Sequence, residues 1–469
     1  MTRTAALCLA ASILSAQSLR LYPGNPHYYE FRGKPTVLVT SAEHYGAVLN
    51  GAFNQTKYLD TLARDGLNLT RVFSGVYREA PGDFGIARNT LAPTDAAYVS
   101  PFLKVGAKFD LGKWNPTYFA RLKSFIAEAD KRGIVVELTL FCVYYQDRMW
   151  KLSPFHPDNN VNALGELART DALTMKNAKL VAIQEAFVRK MAAELRGSRN
   201  VLLEICNEPY IKGVEAADDW QRHIARIIGE AEAGFPEKHL IARNIANNTA
   251  TVDNPDPNVS IFNFHYARPP AAVAQNFGLN RVIGLDETGF DGTLDAIYRM
   301  QAWDFVLAGG AHYNNLDYSF AAGYEDGSFA VPGNAPGGGG ADLRKQLGVL
   351  RRFLDGIEFA RMKPANVVSG GVPDGASVRA LAEEGKAYAI YLHTGRVLAN
   401  HRPRYVYRTD RQSAALLVNL PAGKYKVEWW NPRTGKVDST ETFGHEGGRT
   451  HIASPEFTED AAVLVRALQ

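Results

Sequence analysis

Apolar strand-like runs alternate with amphipathic helical stretches through most of this chain, and that beat leaves few folds open. Asn54 to Asp65 reads as a helix stopped by Gly66, and Leu67 to Phe73 as the strand after it. Asn115 and Pro116 stand as an N-cap and first helical residue. Behind them Phe119, Leu122, Ile126 and Ala129 make a stripe at helical spacing, closed by Lys131-Arg132-Gly133. Further helices are expected near 176–196, 214–233, 293–307 and 341–359. Strands are expected to begin near residues 36, 67, 134, 201, 239, 260, 281 and 310. These runs are apolar throughout rather than alternating, as when both faces of a sheet are buried. Eight such units predict an α/β fold, a (β/α)8 TIM barrel over residues 25–360. The competing doubly wound sheet lacks its signature, because no glycine-rich dinucleotide fingerprint follows the first strand.

The rhythm changes past Pro364. Ser377 to Leu381, Ala387 to Leu392, Ala414 to Leu420, Tyr425 to Trp430 and Ala461 to Val465 are short apolar runs separated by turns, with no helix between them. Residues 364–469 are therefore expected to form a small antiparallel β-sandwich. A length of 469 residues suits two such domains. Upstream, His27 to Phe31 and Thr36 to Val39 flank Arg32-Gly-Lys-Pro35, predicting a hairpin that leads into the first strand. Glycines 337–340 are expected to form a flexible loop between the last barrel strand and the last helix. Residues 1–17 carry one positive charge, a short apolar run and then small residues, the pattern of a secretory signal peptide. The expected destination is secreted or periplasmic. No stretch is long and apolar enough for a membrane span. Removing the leader would take Cys8 with it and leave Cys142 and Cys206, two buried thiols on neighbouring strands rather than a disulfide framework. A formal net charge of +3 gives no reason to expect nucleic acid or an anionic membrane as partner.

Two strands end in acid. Val201-Leu-Leu-Glu-Ile-Cys-Asn-Glu-Pro-Tyr210 is expected to be the fourth, and Arg281-Val-Ile-Gly-Leu-Asp-Glu-Thr-Gly289 the seventh. In a parallel barrel every strand's C-terminal end opens onto one face, so Glu208 and Glu287 can meet across the mouth although far apart in the chain. A pair of carboxyls is what cleavage of a glycosidic bond needs. One protonates the leaving oxygen; the other, if about 5–5.5 Å away, attacks the sugar and forms a covalent intermediate. Arg71, on the second strand, is a candidate donor to the ionised partner. Glu204 lies deeper in the same strand as Glu208 and reads as structural. Asp286 is expected to face away from Glu287 by the two-residue period.

Asn207-Glu208-Pro209 on the fourth strand, with Glu287 closing the seventh, resembles clan A of the glycoside hydrolases, the retaining cellulase- and mannanase-like barrels. The resemblance covers roughly residues 25–360. It implies Glu208 as acid/base, Glu287 as nucleophile and Asn207 as the ligand of the sugar's 2-hydroxyl. Gly66-Leu-Asn-Leu-Thr-Arg71 is similar to the clan's second-strand motif, which puts an arginine beside the nucleophile. Phe262-Asn-Phe-His-Tyr266 is similar to its sixth-strand motif, making His265 and Tyr266 candidates for the substrate site. The C-terminal region resembles modules attached to bacterial secreted enzymes of this type, some labelled collagen-binding-like. Two positions depart from the clan's pattern. The third strand ends Leu140-Phe-Cys-Val-Tyr144 without a histidine, and the eighth, Gly310-Ala-His-Tyr-Asn-Asn315, has no tryptophan, which leaves Tyr313 or Asn315 to serve there.

Other candidates carry two readings each. Glu43 and His44 follow the first strand and are expected at the rim, as strand-end hydrogen bonders or sugar contacts. Tyr144, Tyr145 and Trp150 lie in an aromatic-rich loop that is either a sugar platform or loop packing. Of Trp429 and Trp430, one is expected in the sandwich core and the other at the inter-domain contact. Asp147, Asp158, Asn159 and Asn160 lack the spacing of a calcium loop, so neither metal nor cofactor is called for. The function expected is hydrolysis of a β-linked oligo- or polysaccharide. Its alternatives are a non-catalytic glycan-binding protein on the same scaffold, and a transglycosylase.

Overall fold

A computed structural model describes residues 18–86, 91–400 and 404–468. The leader expected at residues 1–17, with Cys8, lies outside the described residues. Eight parallel strands form one sheet: β1 (Leu38–Ala42), β2 (Leu69–Phe73), β3 (Val135–Cys142), β4 (Val201–Asn207), β5 (Leu240–Asn247), β6 (Ile261–His265), β7 (Val282–Thr288) and β8 (His312–Leu316). They pair in the order β1-β8-β7-β6-β5-β4-β3-β2. All eight are buried along their length except the outer end of β5, which is why their sequences carry no alternation.

β1 and β2 close the barrel without a regular ladder. A side chain does it instead: the backbone N–H of Val39 donates to Oδ1 of Asn68 at 2.9 Å, and Nδ2 of Asn68 donates to the carbonyl of Val37 at 3.0 Å. Around the sheet run α1 (Gln55–Arg64), α2 (Pro116–Lys131), α3 (Ala178–Leu195), α4 (Asp218–Ala231), α5 (Ala271–Asn276), α6 (Asp295–Leu307) and α7 (Ala341–Asp355). Asn54, Asn115 and Asn177 cap α1, α2 and α3, each side-chain oxygen accepting from a backbone N–H of the first turn. Residues 248–260 join β5 to β6 without a helix, and the short α5 falls where no helical stripe marks the chain. The predicted hairpin before β1 is present, Tyr29–Phe31 against Lys34–Thr36. The glycines at 337–340 pack closely rather than standing clear of the fold. A Cβ on Gly337 would lie 2.0 Å from the Tyr318 ring, and the Gly340 N–H donates to Oδ2 of Asp317.

Beyond α7 come β9 (Ser377–Glu383), β10 (Ala387–His393), β11 (Ala415–Leu420), β12 (Gly423–Trp430), β13 (Val437–His445), β14 (Gly448–Ala453) and β15 (Asp460–Leu468). A six-stranded antiparallel sheet runs Lys363–Pro364, β9, β10, β15, β12, β13; a three-stranded one runs Val368–Gly370, β11, β14. Ile390, Leu392, Leu416, Val418, Val427, Trp429 and Val463 fill the space between them. β13 and β14 escape the sequence pattern because they are mostly exposed and carry no apolar alternation.

The outer face of the larger sheet is a second core. Leu381, Ala389, Tyr391, Ala462 and Leu464 belong to the same buried cluster as the barrel. Trp303 of α6 stacks on Tyr391, and Trp430 meets Phe353 of α7 edge-on, while Trp429 turns into the sandwich. This explains α6, whose residues from Ala296 to Leu307 are all buried: it is covered on one side by the barrel and on the other by the sheet. Cys142 and Cys206 are buried free thiols. No helix among the described residues is long and apolar enough to cross a membrane.

Candidate active site

The C-terminal ends of β2, β4, β6 and β7 place the acidic groups at one mouth. Glu208 follows β4 with a left-handed backbone (φ 48°), and Tyr266 follows β6 in the same region (φ 51°). Non-glycine residues adopt that conformation only at a cost of about 1–3 kcal/mol, so surrounding contacts must hold them there. At Glu208 its N–H donates to Oδ1 of Asn244 at 2.9 Å; at Tyr266 the N–H donates to the carbonyl of Glu287 at 2.9 Å. An oxygen of Glu208, an oxygen of Glu287 and a ring nitrogen of His265 all lie within 4.8 Å of one another.

Asp286 does not turn away from Glu287 as strand periodicity predicts. The ladder slips between Phe264 and His265, so that His265 pairs with Glu287 while Phe264 pairs with Leu285. The slip in register delivers both acidic side chains to the barrel interior. Asp286 is 3.4 Å from Nε2 of His265 and 3.4 Å from the guanidinium of Arg71.

Arg71 is wholly buried and organises the acids around it. Its Nε and Nη2 donate to Oε2 of Glu204 at 3.1 and 2.7 Å, Nη2 donates to Oδ1 of Asn207 at 2.7 Å, and Nη1 donates to Oε2 of Glu287 at 3.2 Å. The other oxygen of Glu287 accepts from the Tyr266 hydroxyl at 2.6 Å. Glu208 accepts from the Tyr145 hydroxyl at 2.5 Å, and Asn207 Nδ2 donates to that same hydroxyl at 2.8 Å. His265 Nδ1 sits 3.4 Å from Glu208 and 3.6 Å from Glu287, touching both.

Burial raises every acid here, and the partners decide the rest. Burial pushes Glu208 up, but the hydrogen bond and charge of His265 and the Tyr145 hydroxyl outweigh it and leave Glu208 below its ordinary range. Glu287 stays raised, by burial and then by the negative charge of Glu208, against the pull of His265, Arg71 and Tyr266. Of the two carboxyls, Glu287 is therefore the one held up and Glu208 the one held down. Burial lowers His265, yet Glu287 and Asp286 raise it well above an ordinary imidazole, so it is a cation. Glu204 is raised to about 8 by burial, against the pull of Arg71. Burial and then Arg71 push His44 down to about 4, leaving it neutral.

A cavity of about 70 Å³ lies over the pair, lined by His44, Phe73, Glu79, Phe84, Ile86, Tyr145, Asn207, Glu208, Tyr266, Glu287, Phe290, Leu316 and Tyr318. It brings together Glu208, Glu287, Asn207, Tyr266 and His44 from the sequence analysis, with Arg71 and His265 directly beneath. Three candidates lie elsewhere. The Tyr144 hydroxyl is spent on Ser153 and the carbonyl of Val76, and the next residue, Tyr145, takes the pocket. Tyr313 faces α6, donating to the carbonyl of Tyr298, because the strand's alternation turns it outward. Asn315 is buried against Ser41 and the carbonyl of Leu316. Glu43 is structural: its carboxylate caps the turn after β1, accepting from the N–H groups of Tyr45, Gly46 and Ala47. Sequence pattern did not mark Phe84, Phe290 or Tyr318, which sit on loops without periodicity, nor Leu316 at the end of β8. Tyr145 was visible only as one aromatic residue among several.

Below the pocket the oxygens of Glu137, Glu204 and Asp286 converge within 4.8 Å. Arg71 and Asn263 already direct N–H donors at these oxygens, and those donors fill the ground a cation would need.

The family model for cellulase, glycosyl hydrolase family 5, matches residues 29–277. A solved glycoside hydrolase is similar over 97% of this chain and 97% of its own, at 14% identity and a TM-score of 0.64. A glycoside hydrolase family 5 structure from Bacteroides vulgatus is similar over 96% of this chain and 93% of its own, at 14% identity and a TM-score of 0.62. No curated protein matches the chain significantly.

Proposed function

The chain belongs to glycosyl hydrolase family 5 and is an O-glycoside hydrolase, and from that premise we propose that it acts with retention on a β-linked glycan, Glu287 attacking and Glu208 serving as acid and base. The observation that carries this reading is the closeness of the two carboxyls, oxygens within 4.8 Å across a cavity at the barrel mouth. Such spacing leaves no room for a water between the second carboxylate and the sugar, the arrangement inversion requires. Glu287 takes the nucleophile's role because Arg71 and Tyr266 each donate to one of its oxygens, which stabilises the carboxylate that must attack.

The first step forms a bond from a Glu287 oxygen to the anomeric carbon as Glu208 gives its proton to the departing glycosidic oxygen. In the second, Glu208 takes a proton from water, and that water displaces Glu287 from the same carbon. The two carboxyls are shifted in the sense opposite to these roles, Glu208 down and Glu287 up. His265, within 3.6 Å of both carboxyls, bridges the two and couples their protonation. Asn207, fixed by Arg71 and Tyr145, is oriented to meet the 2-hydroxyl. The loops bearing Phe84, Ile86 and Tyr145 wall a small cavity, which favours short or terminal glycans over internal cleavage of long chains. The leader expected at the N-terminus makes the secreted or periplasmic space the proposed place of work.

A panel of aryl glycosides and plant polysaccharides, followed by NMR of the newly released sugar, tests this. The first anomer released is β from a β-glycoside. Release of the α anomer would overturn retention, and an endo pattern on long polysaccharide would overturn the preference for chain ends. Excess acceptor sugar tests transglycosylation, which predicts transfer products in place of free sugar.

A further inference from the structure

A second cavity, of about 370 Å³, opens beside the first and shares three walls with it: Phe84, Tyr266 and Phe290. Its remaining lining is Asn247 and Asn248 from the end of β5, Arg268, and Arg404 from the C-terminal region. The two arginines differ in kind. Arg268 is fully used, its guanidinium held by Asp291 at 2.6 and 2.9 Å and by the carbonyl of Tyr266 at 3.0 Å. Arg404 is exposed, and no carboxylate among the described residues pairs with it.

Its position is nevertheless fixed. The next residue, Tyr405, is 4% exposed, belongs to the core shared with the barrel, and pairs through its backbone with Val397. Arg404 stands at the bend just before that strand and is exposed where Tyr405 is buried. The pocket thus combines aromatic rings, which suit the apolar faces of a sugar, with amide groups and one cation that has no carboxylate partner among the described residues. Neutral sugars do not need that cation; a carboxylate or sulfate does, and guanidinium binds either through two parallel hydrogen bonds.

We propose that this cavity is a subsite for a sugar next to the one cleaved, and that Arg404 makes it select a sugar carrying an anionic group. The inference rests on the hydrolase reading only for its adjacency to the reacting pair; recognition of the anion is independent of turnover. The C-terminal region then contributes directly to the substrate site.

Binding and turnover are measured separately on the full chain and its Arg404→Gln variant. The probes are cello- and manno-oligosaccharides, the same oligosaccharides oxidised at C6 to uronates, and their 6-sulfates. For an exposed ion pair the wild type is expected to bind at least one acidic series about fivefold tighter than its neutral parent, less so at high salt. Arg404→Gln is expected to bring that ratio to about one. Preference for uronate over sulfate, or the reverse, identifies the anion. Equal binding of acidic and neutral sugars by the wild type, or a preference that survives in Arg404→Gln, would overturn the proposal. An Arg404-dependent preference in binding without hydrolysis of any probe would leave this proposal standing and count against the hydrolase reading instead.

Discussion

At the scale of single residues, the site works by unequal partners given to two similar carboxyls. Replacing Glu208 by Gln removes the proton donor, so kcat/KM for a glycoside with a poor leaving group is expected to fall by about 10²–10⁴. For a dinitrophenyl glycoside, whose departure needs no proton, the fall in kcat/KM is expected to be small; equal losses on both substrates would remove the acid from Glu208. The hydroxyls of Tyr145 and Tyr266 tune the pair from opposite ends. Each lowers the carboxyl it serves, Glu208 and Glu287 respectively. Loss of either hydroxyl raises that carboxyl. In Tyr266→Phe the nucleophile holds its proton to higher pH, so the acid limb of the kcat/KM profile moves up. In Tyr145→Phe the acid keeps its proton longer, so the alkaline limb moves up. The limbs report the coupled pair rather than isolated groups, and the comparison with wild type is the measurement. Movement of either limb downward would contradict the hydrogen bonds described.

Two departures from regular geometry serve the site. The slip in register at His265 and Glu287 puts Glu287 beside Asp286 inside the barrel, where a regular strand would have sent it to the helices. At the β1–β2 seam, the amide of Asn68 stands in for ladder bonds and keeps β2, which carries Arg71, in register with its neighbour. Asn68→Ala leaves the Val39 N–H and the Val37 carbonyl without partners in a buried place, a cost of about 1–3 kcal/mol for each group left unsatisfied. Urea denaturation is expected to show that loss, with Asn54→Ala, a helix cap, losing about 1 kcal/mol. A loss at Asn68 no larger than at Asn54 would mean that the seam is closed by packing alone.

In the molecule as a whole, the barrel and the C-terminal sheets share one core, and a buried ion cluster pins it. Arg299 of α6 donates to both oxygens of Asp460 at 3.0 and 2.9 Å and to Gln346 of α7. Arg299→Met leaves Asp460 buried without its cation, and breaking such a pair typically costs about 3–5 kcal/mol. Thermal unfolding of this variant is expected to remain a single transition at a lower midpoint, because neither half can separate without exposing Trp303, Tyr391 and Phe353. Two separated transitions in the wild type would contradict a shared core.

Sequence by itself determined the barrel and the identity of its paired acids. Strands buried on both faces must be apolar along their length, capped helices announce their own starts, and residues at the ends of parallel strands must meet at one face. That much is local chemistry plus closure. The irregular parts were decided only in three dimensions. Whether Tyr144 or Tyr145 reached the pocket, whether Asp286 and Glu287 faced the same way, and which loop aromatics lined the cavity depended on a register slip and on loop packing, neither of which has a period. So did the arrival of Arg404 in the cavity next to that of the acids, since no spacing in a sequence says how a sheet from the end of the chain will lie against a barrel. Periodic contacts write themselves into a sequence, whereas contacts between distant, aperiodic segments exist only once the chain has packed.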